Sequence, residues 1–153
     1  MNVSVFDLFS IGIGPSSSHT VGPMKAACAF VESLISQDII DDVHGLRCDL
    51  YGSLAATGKG HGTGDALILG FLGEMPDTVD VTTIEGRLEA INESKNLTLP
   101  NGRVIDFDPA NDLDFKRLKP LPLHPNGMHM IALNEAGEPI SDQIYYSLGG
   151  GFI

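Results

Sequence analysis

The sequence predicts an α+β domain in which helices pack on one face of a mixed or antiparallel sheet. Three observations carry this expectation. Val21, Met24, Cys28, Val31 and Ile35 recur at helical steps, Leu46, Cys48 and Leu50 alternate with polar neighbours, and the C-terminal half breaks into strand-like segments joined by tight turns. At 153 residues the chain fits one domain and is long enough to bury a real core.

The elements follow in order. Val3 to Phe9 is a short apolar segment, expected as a small helix. After a polar loop, the repeat from Val21 to Ile35, widened by Ala27 and Leu34, reads as an amphipathic helix, and Pro23 is tolerated in its first turn. The alternation at Leu46, Cys48 and Leu50 reads as a half-buried strand. Ala66 to Leu72 is apolar throughout; its glycine-rich entry and Asp65 as N-cap favour a buried helix. Thr82 and Glu85 have capping-box spacing ahead of a helix whose apolar face is Val81, Ile84, Leu88 and Ile91. Asn101-Gly102 predicts a hairpin between Leu97–Leu99 and Val104–Phe107. Residues 108–119 read as polar and irregular, with the acidic stretch Asp106 to Asp114 a solvated loop. Met128–Leu133 and Pro139–Ser147 read as two strands around the turn at Glu135–Glu138. The chain closes on Gly149-Gly150-Gly151-Phe152-Ile153, a pattern expected of a boundary inside a longer protein.

Charge narrows the function. Twenty acidic against nine basic residues give a net charge of −11, a surface that repels phosphate backbones and anionic membranes, so neither nucleic acid nor membrane is an expected partner. No stretch reaches the ~20 apolar residues of a membrane span, and the N-terminus has no charged n-region ahead of an apolar core. Two cysteines, Cys28 and Cys48, make neither a disulfide framework nor a four-thiolate metal site, and both fall on apolar stripes. A cytoplasmic location is the simplest expectation.

Two polar stretches carry the chemistry: Gly14-Pro15-Ser16-Ser17-Ser18-His19-Thr20 and Gly58-Lys59-Gly60-His61-Gly62-Thr63-Gly64-Asp65. Each sets one imidazole among small residues just before a helical run. Small residues admit a ligand close to the backbone, and a helix start offers free N–H donors to a carboxylate or phosphate. Histidine exchanges a proton near neutral pH. An anion seat beside a proton carrier, twice over, points to a site for a small acid. The plainer alternatives stand beside this: the serines as a solvated helix cap, and the glycines as a tight strand-to-helix connection. His44 and His129 read as structural. A zinc hydrolase built on His19, His61 and Asp65 is a further alternative, weakened by the lack of an H-x-x-x-H pair.

Four motifs in one order extend the reading. Ser10 to Met24, Tyr51-Gly52-Ser53-Leu54-Ala55-Ala56-Thr57-Gly58-Lys59-Gly60-His61, His124-Pro125-Asn126-Gly127-Met128 and Tyr146-Ser147-Leu148-Gly149-Gly150-Gly151-Phe152 resemble the N-terminal β region of bacterial iron–sulfur L-serine dehydratases. The resemblance covers essentially residues 1–153. It implies L-serine ammonia-lyase activity in amino-acid catabolism and gluconeogenesis, with a catalytic α region following Ile153. That region would hold a [4Fe–4S] cluster whose cysteine ligands this chain lacks, so the chain alone is expected to be inactive and to bind no metal.

By position in the motifs, the resemblance makes His61 the general base and His19 its partner. Ser16, Ser17, Ser18 and Thr20 would hold the substrate carboxylate, with Lys59 and Asp65 as weaker candidates. The β region also resembles the regulatory substrate-binding domain of some phosphoglycerate dehydrogenases, which implies an allosteric serine site with His124 and Asn126 as ligands. The alternative function is thus a stand-alone allosteric L-serine-binding module. Expected partners are L-serine, the α region and a second copy in a homodimer.

Overall fold

The computed structural model describes residues 21–52, 62–116 and 127–146. The apolar segment from Val3 to Phe9 and the C-terminal glycine run lie outside them. The first helix, α1 (Val21–Ser36), is buried around most of its circumference, including Phe30 and Ala26, because it packs against a second helix and against the sheet. Ile35, expected on its buried stripe, is 45% exposed. It falls in the last turn beside exposed Ser36 and Gln37, where Leu34 alone faces the core.

A 3-10 turn (Ile40–Asp42) leads into β1 (Gly45–Tyr51). The buried helix expected after the glycine-rich stretch is α2 (Thr63–Phe71), but Asp65 is not its cap. Gly62, left-handed at φ +78°, is the N-cap, and Asp65 becomes the third helical residue. Only glycine reaches that φ without a Cβ penalty, so the helix starts three residues early.

Helices α1 and α2 approach closely at Gly70. A Cβ there would stand 2.5 Å from the Ala27 Cβ, 3.1 Å from the Cys28 nitrogen, and against the Met24 carbonyl oxygen. The missing side chain lets the two backbones meet.

A 3-10 turn (Val81–Thr83) precedes α3 (Ile84–Ser94), which buries Ile84, Leu88 and Ile91 as expected, with Val81 partly buried against the same core. The capping differs: the Asp80 carboxylate accepts from the Thr82 amide at 3.0 Å, and Thr83 is the N-cap of α3 with no capping hydrogen bond from its side chain. Asp80 sits two residues earlier and takes the Thr82 amide that the Glu85 side chain was expected to accept from. The hairpin is present as β2 (Asn96–Thr98) and β3 (Val104–Asp106), with Leu97 opposite Ile105 and Gly102 at φ +89°. Its tip is tethered: Asn101 donates to the Asp41 carboxylate at 2.9 Å, and Arg103 donates to the Asp41 carbonyl and to the His44 ring. Phe107 stacks edge-to-face on Phe71, with ring centres 6.1 Å apart.

The stretch read as a solvated acidic loop is structured. Asp108 accepts from the Ala110 amide at 3.1 Å while Asp112 accepts from the Asp108 amide at 2.7 Å, which caps a one-turn helix, α4 (Pro109–Asp112). Strand β4 (Leu113–Lys116) follows, then β5 (Gly127–Leu133) and β6 (Pro139–Tyr146). The sheet order is β4-β1-β5-β6, with β1 parallel to β4 and the other pairs antiparallel. One face is the core face, carrying Leu46, Cys48, Leu50, Met128, Met130 and Ala132, all buried. An extra residue in β6 beside Ala132 and Leu133 turns Ile140 to the core as well.

The opposite face carries a charge network. Asp49 and Asp114 lie directly opposite each other on β1 and β4, an unfavourable pairing of like charges, and Arg47 bridges them at 3.0 and 3.5 Å. Its guanidinium is held above the ordinary arginine range, first by the hydrogen bond to Asp49. On the other side, His129 meets Asp142 at 2.7 Å.

Gly70→Ala is expected to lower stability by about 1–3 kcal/mol, the usual cost of overpacking, despite alanine's better helix propensity. The midpoint of urea unfolding measures it; an unchanged or higher midpoint would show that α1 and α2 can part without loss.

Candidate active-site end of the sheet

Strand directions gather the motif-bearing segments at one end of the sheet. Strands β1 and β4 run together, β5 runs against β1, and β6 runs against β5. The C-terminal ends of β1, β4 and β6 and the start of β5 therefore share one end. The register aligns them: Tyr51 lies opposite Lys116, Leu50 opposite Met128 and Gly127 opposite Tyr146. Tyr51, Lys116, Gly127 and Tyr146 thus close the sheet in one row, and Gly52, at φ +64°, turns the chain out of it.

Every motif downstream of α1 begins or ends at this row. Lys59 and His61 fall between Gly52 and Gly62, His124 and Asn126 between Lys116 and Gly127, and the last motif starts at Tyr146. Strands β4 and β5 flank β1, so the ends joined by residues 117–126 stand roughly 10 Å apart. His19, Ser16, Ser17, Ser18 and Thr20 directly precede Val21, the first residue of α1. All of these candidates except Asp65 lie outside the described residues. Tyr51 and Tyr146 stand at the edges of two motifs, and the alternation on their strands places them on one face.

Asp65 is the described member of the set. It lines a recess of about 180 Å³ with Gly62, Gly64, Asn92, Pro109 and Phe115, between the start of α2 and the segment that leads into β4. Gly64 admits Leu113 closely, since a Cβ there would sit 3.4 Å from its Cδ1. Burial pushes the Asp65 carboxyl above the ordinary aspartate range, against the pull of the helix dipole on a charge in its first turn. A half-buried carboxylate of this kind can receive an ammonium group or hold a proton longer than a solvated one.

The two thiols do not fit an iron–sulfur cluster. Cys28 lies in α1 with its thiol pushed up to about 11, chiefly by burial and then by Glu32. Cys48 is wholly buried in β1, and burial pushes its thiol well above the usual range. A ligand must be a thiolate, and both sites oppose ionisation. Among the described residues, no group of three or more His, Cys, Asp and Glu could hold a metal ion, and no helix is long and apolar enough to cross a membrane.

The described residues thus form an α+β domain whose sheet is left by the chain after Gly52 and Lys116 and re-entered at Gly127 at one and the same end. The family model of the serine dehydratase beta chain matches residues 4–153, and the chain belongs to that family. It is 49% identical over 153 residues to an L-serine dehydratase of Streptomyces coelicolor, covering all of this chain and 34% of the relative. It is 47% identical over 152 residues to L-serine dehydratase 1 of Escherichia coli, covering 99% of this chain and 33% of the relative. An L-serine dehydratase of Helicobacter pylori is 43% identical over 150 residues, covering 98% of this chain and 32% of the relative. The chain thus spans about a third of the length of the curated relatives it matches.

The raised Asp65 carboxyl sets a pH dependence. Its native pKa lies above the unfolded one, so its favourable contribution is complete at low pH and is lost as pH rises through the native value. Asp65→Asn is expected to raise the thermal midpoint at about pH 7 and to leave it unchanged at about pH 3, where the carboxyl is protonated in both states. A variant less stable than wild type at neutral pH would mean that the charged form is the one the fold holds.

Proposed function

We propose that this chain is the β region of an L-serine ammonia-lyase, working with a catalytic region outside it to convert L-serine to pyruvate and ammonia. The match of the serine dehydratase beta chain family across residues 4–153 carries the reading. The sheet end supports it, since three motif-bearing segments attach to one row of residues.

In this reading Ser16, Ser17, Ser18 and Thr20 hold the substrate carboxylate by hydroxyl and amide donors, with Lys59 and Asp65 as further polar partners. Neutral His61 takes the α-proton of bound serine onto a ring nitrogen, and His19 partners it or orients the substrate. The electron pair left at the α-carbon then expels the β-hydroxyl, which takes a proton from the protonated imidazole and leaves as water. The aminoacrylate that remains tautomerises to an imine, and water releases pyruvate and ammonia. Help for the poor leaving group comes from the region outside this chain, where the resemblance places a [4Fe–4S] cluster. Its chemistry there would be that of a Lewis acid.

A second reading concerns regulation, and one observation favours it. Residues 117–126, with His124 and Asn126, join β4 to β5 on either side of β1, whose exit leads to His61. Histidine and asparagine together offer the donors and acceptors that an amino acid needs. Serine held there would act as an allosteric ligand of a homodimer, as the likeness to phosphoglycerate dehydrogenase regulatory domains implies.

In the full-length protein, His61→Ala is expected to reduce kcat for L-serine by about 10²–10⁴. Steady-state pyruvate release measures this, and near-normal turnover would remove His61 as the base. His124→Ala is expected to keep kcat and to convert sigmoidal serine saturation into a hyperbola. An unchanged curve would leave that segment without a regulatory role.

A further inference from the structure

The sheet has one covered face and one open one. Residues of the core face belong to a single buried cluster with α1, α2 and α3. The other face alternates away from it and carries Arg47, Asp49 and Tyr51 from β1, His129, Ile131 and Leu133 from β5, and Asp142, Ile144 and Tyr146 from β6; Asp49 is buried, Asp142 and Ile144 are exposed and the others are half-buried. None of its apolar members joins the core cluster. Ile144, on the edge strand β6 beside His129, is 43% exposed.

Arg47 binds Asp49 and also reaches Asp114, and Asp142 meets the His129 ring. A partner that covers the face gains the burial of Tyr51, Ile131, Leu133, Ile144 and Tyr146. Asp142, 61% exposed at its side chain, leaves room for a basic group opposite.

We propose that this open face is the seat of the other two thirds of the full-length protein. Two observations select that occupant. The chain spans about a third of the length of its curated relatives, so a region of about twice its size shares its polypeptide there. The face is also continuous with the candidate site, because Tyr51 and Tyr146 belong both to it and to the closing row of the sheet. A region that completes a site at that row meets those two tyrosines first. The inference rests on the proposed function only in taking the remainder of the protein to complete the site.

Hydroxyl-radical footprinting of the full-length protein tests it. Ile144, Tyr51 and Tyr146 are expected to lose their labelling, while Val104, 58% exposed on the hairpin, keeps it and serves as the internal reference. The protection is expected to persist on serial dilution. Ile144→Asp, at an exposed position that leaves the core intact, is expected to restore labelling of both tyrosines without changing the circular dichroism. Labelling of Ile144 as fast as that of Val104 would overturn the proposal. Protection lost on dilution would assign the face to a second copy, which also overturns it. The readout is independent of turnover, so an absence of serine dehydratase activity would fail the functional reading and leave this one standing.

Discussion

Strand β1 is the constraint on which the rest of the structure depends. It is held in parallel by β4 and antiparallel by β5, and its inward side chains, Leu46, Cys48 and Leu50, are wholly or almost wholly buried. A slip of one residue would exchange those three for Arg47, Asp49 and Tyr51 and place a carboxylate in the core. The cost of that exchange fixes the register. With it fixed, the exits of β1 and β4 and the entry of β5 fall level, and the motifs they carry are drawn to one end of the sheet.

The parts legible in the sequence are those where one pattern dominates over enough residues. The repeat from Val21 onward, the alternation in β1, the Asn101-Gly102 hairpin and the last two strands each follow from local signals that burial reinforces. The parts that were not legible involve partners far along the chain. Strand β4 alternates over only Leu113, Asp114, Phe115 and Lys116, too briefly to stand out of an acidic stretch, and it exists because β1 offers a free edge. The start of α2 was misread because Asp65 is a good cap by type, whereas Gly62 determines the boundary by its backbone. Ile35 illustrates the same limit, since a stripe shows which face is apolar and not how far the neighbouring layer extends.

The candidate site shows the same division. Residue types near His19, His61 and His124 led to the expectation of a polar pocket and a proton carrier, but no spacing along the chain could say that Tyr51, Lys116, Gly127 and Tyr146 close one sheet end. That knowledge is topological. The environment of Asp65 is also a property of the fold, because Pro109 and Phe115 reach its recess from another part of the chain and supply the burial that lifts its carboxyl.

The parallel rung between Cys48 and Leu113 joins positions 65 residues apart, and the tether from Arg103 to His44 spans 59. Closing loops of that size has an entropic cost before any rung can repay it, whereas α1 meets α2, and β5 meets β6, within shorter stretches. The order of assembly follows from this separation. The helical pair and the last hairpin can form early and independently, and the central strand is trapped between them late. Aligning the closing row of the sheet is thus the step that joins the more distant parts of the chain.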